Sequence, residues 1–381
     1  MTVKINQKPV RASLYIHIPF CAALCDYCDF YSVAAGKESD TVMDVFIKAV
    51  IADIKYQIEY FDVKEIPTVY IGGGTPSVLG GKRLGILFDS LRYLPGFSPV
   101  EFSIEVNPES AAEEVLSVCR EGGVNRISCG VQSFHEPSRL AVGRRGQAGL
   151  LERQLDLIAR FFPDAFCADL ITGLPYQTEK IVLEDIKRLL AFKPSHISLY
   201  SLSVENGTLL EEKVRSNIVR LPERDEADVL WLAGRDALEE AGFRHYEVSN
   251  FALDGKRCLH NIRYWQMESW MGAGPAASGT MINENAGKAA RFTYTPDLRA
   301  YIEAPSIGKA LREELDRVDL LKESLLMGYR YSEGPDLEKF RRRFGLGIEY
   351  FIPKTIARWK NREIMLFLNS FLSEAFSEIG D

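Results

Sequence analysis

Six short stretches in the first 202 residues form mostly apolar runs set off by polar or glycine-rich turns. They are SLYIHI (13–18), TVYIG (68–72), EFSIEVN (101–107), RISCGV (126–131), CADLI (167–171) and HISLYSL (196–202). Their lengths and apolar character predict parallel strands covered on both faces. Helical periodicity fills the gaps near 41–60, 80–93, 110–121, 148–160 and 178–191. Six strand–helix units in order predict an α/β fold, a partial (β/α)6 TIM-like barrel, because each parallel pair needs a covering crossover.

The polar residues fall where such a fold binds ligands. Cysteines, glycines, Glu105, Gln132, Asp169 and Tyr200 cluster at or just past the carboxyl ends of the expected strands. Beyond 202 the repeat stops. A helix is expected over 221–242, with Pro222 near its start and Gly242 near its end. A short strand HYEVS, the loop NFALDGKRCLHNIRYWQ (250–266) and the glycine-rich MGAGPAASG (271–279) follow. Charge and aromatic residues at helical spacing over 295–381 predict a small helical unit. The expected division is 1–220 for the barrel, 221–290 for its extension and 291–381 for the C-terminal domain.

Composition narrows the function. Lys and Arg total 46 against 53 Asp and Glu, giving −7, which argues against a general nucleic-acid surface. The first residues lack the apolar core of a signal peptide, and no run of 18 apolar residues predicts a membrane span. Seven cysteines, an odd number, fit a reducing cytoplasm, where clustered thiols are more often ligands or catalysts than bridges.

Three of those cysteines stand within CAALCDYCDF: Cys21, Cys25 and Cys28, spaced C-x3-C-x2-C directly after the first strand. A structural zinc site takes four ligands, and a partner pair is absent. A thioredoxin-like pair would leave Cys21 unexplained. Thiolates are soft ligands suited to iron–sulfur clusters, and three of them on a [4Fe–4S] cube leave one iron open.

The motif resembles that of the radical S-adenosylmethionine (SAM) superfamily. YIHIPFC, YIGGGTPS (70–77), SIEVNP (103–108), RISCGVQSF (126–134), DLITGLPYQT (169–178) and ISLYSLSVENGT (197–208) resemble its coproporphyrinogen III oxidase-like family. The resemblance spans at least 13–275. It implies a [4Fe–4S] cluster on the three cysteines and SAM on the open iron, cleaved after one-electron reduction to methionine and a 5′-deoxyadenosyl radical. It also implies that the GGGTP loop, with Gly73, Gly74 and Thr75, meets the SAM amino group. Glu105 and Asp169 would face SAM, as carboxylates suit a ribose diol, and Arg144 would fork onto its carboxylate. Gln132 would support them, Tyr15 would touch SAM, and Tyr27 would cover the cluster or touch SAM. By residue type alone, the glycines are equally a turn, and polar residues at strand ends are more often solvated or capping groups than ligand contacts. His17, expected to orient the cysteine loop, and His135 are not placed in the site.

Two further features choose a branch. The oxidase carries a fourth cysteine two residues past the third, where this chain has Phe30. CLHNIRYW (258–265) resembles the H-N-x-x-Y-W motif of the HemW-like branch, whose members are haem chaperones. His260 is thereby expected to bind haem, with Cys258 nearby and Tyr264 and Trp265 offering flat apolar contact. Two departures mark a divergent member: Gly146 and Ala277 stand where the family commonly has histidine. The expected function is a carrier binding cluster, SAM and haem, without coproporphyrinogen III oxidase turnover. It would deliver haem to an acceptor protein and take electrons from a flavodoxin or ferredoxin. The alternatives are a radical SAM enzyme acting on a tetrapyrrole, by decarboxylation or haem modification, and a zinc-stabilised binding module.

Overall fold

The computed structural model describes residues 10–144, 148–359 and 364–380. Six parallel strands form its centre: β1 Ser13–Ile18, β2 Val63–Gly73, β3 Phe97–Val106, β4 Arg126–Gln132, β5 Phe166–Thr172 and β6 His196–Ser201. They lie side by side in the order 6-5-4-3-2-1. Register aligns Tyr15 with Tyr70, Glu105 with Ser128, and Asp169 with Ser198. The barrel stays open. β7, Asn250–Ala252, pairs antiparallel with β6 on one side, and β8, Trp270–Ala273, pairs parallel with β1 on the other.

Helices α1 Asp40–Phe61, α2 Gly80–Arg92, α3 Glu113–Glu121, α4 Ala148–Phe161 and α5 Glu179–Leu190 link successive strands. They cover an apolar strand face formed by Leu14, Ile16, Val69, Ile71, Ile104, Ile127, Ala168 and Ile197, all buried. The opposite face alternates with it and is polar, carrying Tyr15, Tyr70, Glu105, Ser128 and Asp169. The strands are therefore not apolar on both faces, as their composition predicted. The period-2 alternation aims every second side chain into the concavity, which is where a polar ligand needs partners.

The C-terminal half departs more from expectation. HYEVS forms a strand only at Arg244–His245. Tyr246 then leaves the ladder, and its hydroxyl bonds to His196 (2.8 Å) and accepts from Cys258 N (3.1 Å). The sheet continues through β9 Ser278–Asn283, β10 Lys288–Thr293 and β11 Leu311–Leu315. Position 290 thus lies inside β10; of the helices expected from 295, a short one, Leu298–Glu303, packs back on the barrel, and the continuous run of helices begins with α8, Arg317–Gly328. LREEL reads as charged helix but forms a charged edge strand, with Arg291 and Glu313 opposed and 3.4 Å apart. Leu321, Leu325, Phe340, Phe344 and Phe371 make the second core. Buried Asp53 of α1 accepts hydrogen bonds from Tyr294 (2.6 Å) and Tyr301 (2.8 Å), tying this half to the barrel. Among the described residues no helix is long and apolar enough to cross a membrane.

Candidate active site at the carboxyl rim

The cysteine loop leaves β1 and folds back on it. Phe20–Cys21 pairs in parallel with Val33–Ala34, so the residues between them form a closed loop. His17 holds it from beneath: Nε2 lies 2.9 Å from the Tyr31 carbonyl and Nδ1 lies 3.1 Å from the Tyr15 hydroxyl. Asp26 clasps the outside, with its carboxylate 2.5 Å from Lys213 and its carbonyl accepting from Leu210 N at 2.8 Å. Burial pushes the Cys21 thiol up, and the Cys28 thiol up to about 11. Metal ligation by these thiols would release their protons. Among the described residues no three His, Cys, Asp or Glu side chains converge on a single ion.

The glycine loop comes against these thiols from β2. Gly74 N donates to the Ile18 carbonyl (2.8 Å) and Thr75 N to the Phe20 carbonyl (2.7 Å). A Cβ on Gly74 would stand 2.8 Å from that Phe20 oxygen and 3.0 Å from Cys21 Sγ. Gly73 has φ +106°, and a Cβ there would strike the His17 ring at 2.6 Å. Only glycine fits at either place. Thr75 Oγ1 lies 3.6 Å from Cys21 Sγ.

Arg144 joins the two loops. Its Nη1 is 3.8 Å from Cys25 Sγ, while Nη2 donates to the Gly130 carbonyl (2.6 Å) and to Asn107 Oδ1 (2.9 Å). Asn107 in turn donates to Thr75 Oγ1 at 2.8 Å. Gln132 ends β4 with φ 67°, and its buried Oε1 has no partner. Tyr27 packs with Val142, Leu174 and Leu210 and reaches Cys25.

Deeper in the concavity lie the two carboxylates. Glu105 accepts from the Tyr70 hydroxyl (2.8 Å) and from Gly73 N (3.3 Å). Burial, with Asp169 adding its charge, raises its carboxyl to about 7. Asp169 accepts from Ser128 Oγ at 3.3 Å, and burial raises it to about 6. Tyr27, Gly74, Thr75 and Arg144 thus meet the loop of Cys21, Cys25 and Cys28, Tyr15 and Gly73 reach it through His17, Gln132 ends the neighbouring strand, and Glu105 and Asp169 line a deeper cavity. Asn107, Tyr70, Ser128 and Asp26 were not foreseen. All four stand inside motifs quoted for other residues, and that was their only signal.

His260, expected to bind haem, lies deeper in the barrel, its ring 5.3 Å from that of Tyr70. It belongs to α7, Leu259–Trp265, whose first amides Leu259 N and His260 N donate to Glu101 at 2.9 and 2.8 Å. Thr68 is the central residue of β2 and Glu101 lies just before the middle of β3, and Cys258 and Asn261 line one cavity with Glu105 and Asp169, so α7 closes the base of that cavity. Thr68 stands six residues of strand, roughly 20 Å, before Gly74 of the cysteine rim. His260 is 1% exposed, with Nδ1 at 2.9 Å from Thr68 Oγ1 and Nε2 at 2.9 Å from the Tyr264 hydroxyl. Burial lowers its pKa to about 3, keeping it neutral. Cys258 is equally occupied, its Sγ 3.3 Å from Glu101. Ala277 is buried in the main core beside β8, and Gly146 lies outside the described residues.

A polar-lined open barrel with three thiols at its carboxyl rim defines a radical SAM fold. The Radical SAM superfamily profile matches residues 15–189. The haem chaperone HemW of Lactococcus lactis is 33% identical over 361 residues, 94% of this chain and 91% of its own. HemW of Escherichia coli K12 is 33% identical over 80% of this chain and 78% of its own. The solved coproporphyrinogen III oxidase (HemN) of Escherichia coli shares the fold, with TM-score 0.80 at 20% identity over 97% of this chain and 91% of that one. The chain belongs to the HemW-like branch of the radical SAM superfamily.

The rim residues fit the groups that this family implies. Three free thiols stand on one loop, two glycines admit close backbone approach, and a buried amide oxygen on Gln132 awaits a donor. Cys21, Cys25 and Cys28 would hold a [4Fe–4S] cluster; Thr75, Glu105, Arg144 and Asp169 would hold SAM.

Proposed function

We propose that this protein is a haem chaperone that binds a [4Fe–4S] cluster, SAM and haem, and passes haem to an acceptor protein. The observation that carries the reading is Phe30. It stands two residues past Cys28, where the oxidase-type motif has a further cysteine, and it projects into solvent, 64% exposed. The loop therefore brings three thiols and a hydrophobic tip. Relatives that align along most of the chain bear the name haem chaperone, which supports the same reading.

When bound, the cluster supplies a low-potential electron at the SAM sulfonium. The chain's own contribution is positional. Arg144 holds Asn107 and Gly130 in place and offers its charge beside Cys25. Glu105 and Asp169 accept hydrogen bonds from hydroxyl donors. His17 fixes the loop that carries the thiols. A flavodoxin- or ferredoxin-like donor and a reducing compartment such as the cytoplasm complete the proposal.

The test is anaerobic reconstitution, with about four irons expected per chain, followed by SAM, reductant and either coproporphyrinogen III or haem. An unchanged tetrapyrrole with a stable haem absorption band supports the carrier. Loss of propionate carboxyls, or opening of the macrocycle, overturns it. Tightly bound zinc without iron would overturn the cluster as well.

A further inference from the structure

A groove of about 760 Å³ runs along the open edge of the barrel, between β6, β7, α7 and the C-terminal helices. That volume lies within the range of small-molecule sites. Its walls include Tyr200, Arg224, Glu247, Asn250, Trp265 and Arg330. Tyr200 also lines the inner cavity that holds Glu105 and Asp169, so the groove adjoins the rim site.

Two features of these walls call for a ligand. Arg224, the first residue of α6 (Arg224–Glu240), and Arg330, two residues past α8, have no carboxylate within ion-pair distance among the described residues. Arg330 lies 5.8 Å from the centre of the Trp265 ring. In addition, the indole Trp265 Nε1 is a buried donor without a hydrogen-bond partner, which an anionic acceptor would satisfy. Glu247, 2% exposed, and Asn250 offer only buried acceptor oxygens there and do not hold the anion themselves.

Arg330 has the charge of Glu247 near it but no direct carboxylate contact, and Arg224 has neither among the described residues, so both can take a carboxylate or phosphate through forked contacts. An indole face selects a flat conjugated ring. Resting on the carrier reading above, we infer that this groove seats the dicarboxylate edge of a tetrapyrrole, its two propionates on Arg224 and Arg330 and its ring against Trp265. The cargo then lies beside the SAM cavity without a ligand from buried His260, and the C-terminal helices form one wall of its berth.

The experiment titrates the full-length, cluster-loaded protein with haem and with haem dimethyl ester, read by absorbance. The panel is wild type, Arg224→Gln, Arg330→Gln and the double variant, with melting curves to show that each is folded. The expected result is a loss of about tenfold in haem affinity for each single variant, the magnitude of one charge-assisted contact. The ester should bind wild type more weakly than haem does, and the double variant should no longer distinguish the two. Wild type that binds haem tightly, with variants and ester unchanged, overturns the groove and leaves the carrier reading standing. Wild type that binds no haem overturns both.

Discussion

The guanidinium of Arg144 stands 3.8 Å from the sulfur of Cys25 while its other nitrogen is anchored on Gly130 and Asn107. That places a fixed positive charge at the edge of the thiol loop. Arg144→Gln should leave iron content near wild type and weaken SAM binding by about 10- to 100-fold, the loss of a forked charged contact. Arg144→Lys should fall between, since it keeps charge and loses the fork. Iron analysis beside calorimetric SAM titration separates these outcomes; unchanged SAM affinity in Arg144→Gln would remove the residue from the site.

Gly73 tests the backbone. Its φ of +106° and the 2.6 Å approach to His17 predict that Gly73→Ala destabilises the fold by about 2–3 kcal/mol. Gly36, whose added Cβ would meet nothing within 4 Å, serves as the control. Gly36→Ala should be close to neutral in the same urea titration.

The sequence made the barrel legible because each element carries its own period. β1 runs over the predicted residues, and β4 and β5 exceed their predictions by one or two. The rim was legible because C-x3-C-x2-C and GGGTP are local in the chain. Asn107 was not, because its role is to bridge Thr75 and Arg144, residues that only the fold brings together. β11 was missed because an edge strand with charges on its exposed positions has the composition of a helix. The burial of His260 was not legible for a related reason: motif letters do not say how deep in a barrel a segment packs.

His260 therefore yields a stability prediction where the sequence had expected a binding one. His260→Ala would leave the buried Tyr264 hydroxyl without its partner and Thr68 Oγ1 with Ser13 Oγ alone (2.8 Å), and should cost roughly 2–4 kcal/mol with the cavity it opens. His260→Gln, able to keep one or both bonds, should recover part of that. Haem affinity of the folded variants should equal wild type in an absorbance titration. A variant of normal stability that no longer binds haem would restore His260 as a ligand.

The paired carboxylates predict a pH dependence of unusual sign. Burial, with the neighbouring charge of Asp169, raises Glu105 from 4.5 to about 7, and burial raises Asp169 from 3.8 to about 6. The folded chain thus holds these protons more tightly than the unfolded chain does. Their contribution is most favourable below the unfolded values and is lost as pH rises toward the folded ones, between about 4 and 7. For Glu105 alone the swing is about 3 kcal/mol, and coupling prevents simple addition for the pair. Urea titrations of the ligand-free protein across pH 4.5–7.5 should show wild type losing more stability than Glu105→Gln over this window, other groups cancelling in the difference. SAM binding should run the opposite way. Hydroxyl donors favour the ionised carboxylate, so wild-type affinity should rise through pH 6–7.5 while that of Glu105→Gln stays weak and flatter. Parallel pH curves for the two proteins would show that Glu105 does not meet the ligand.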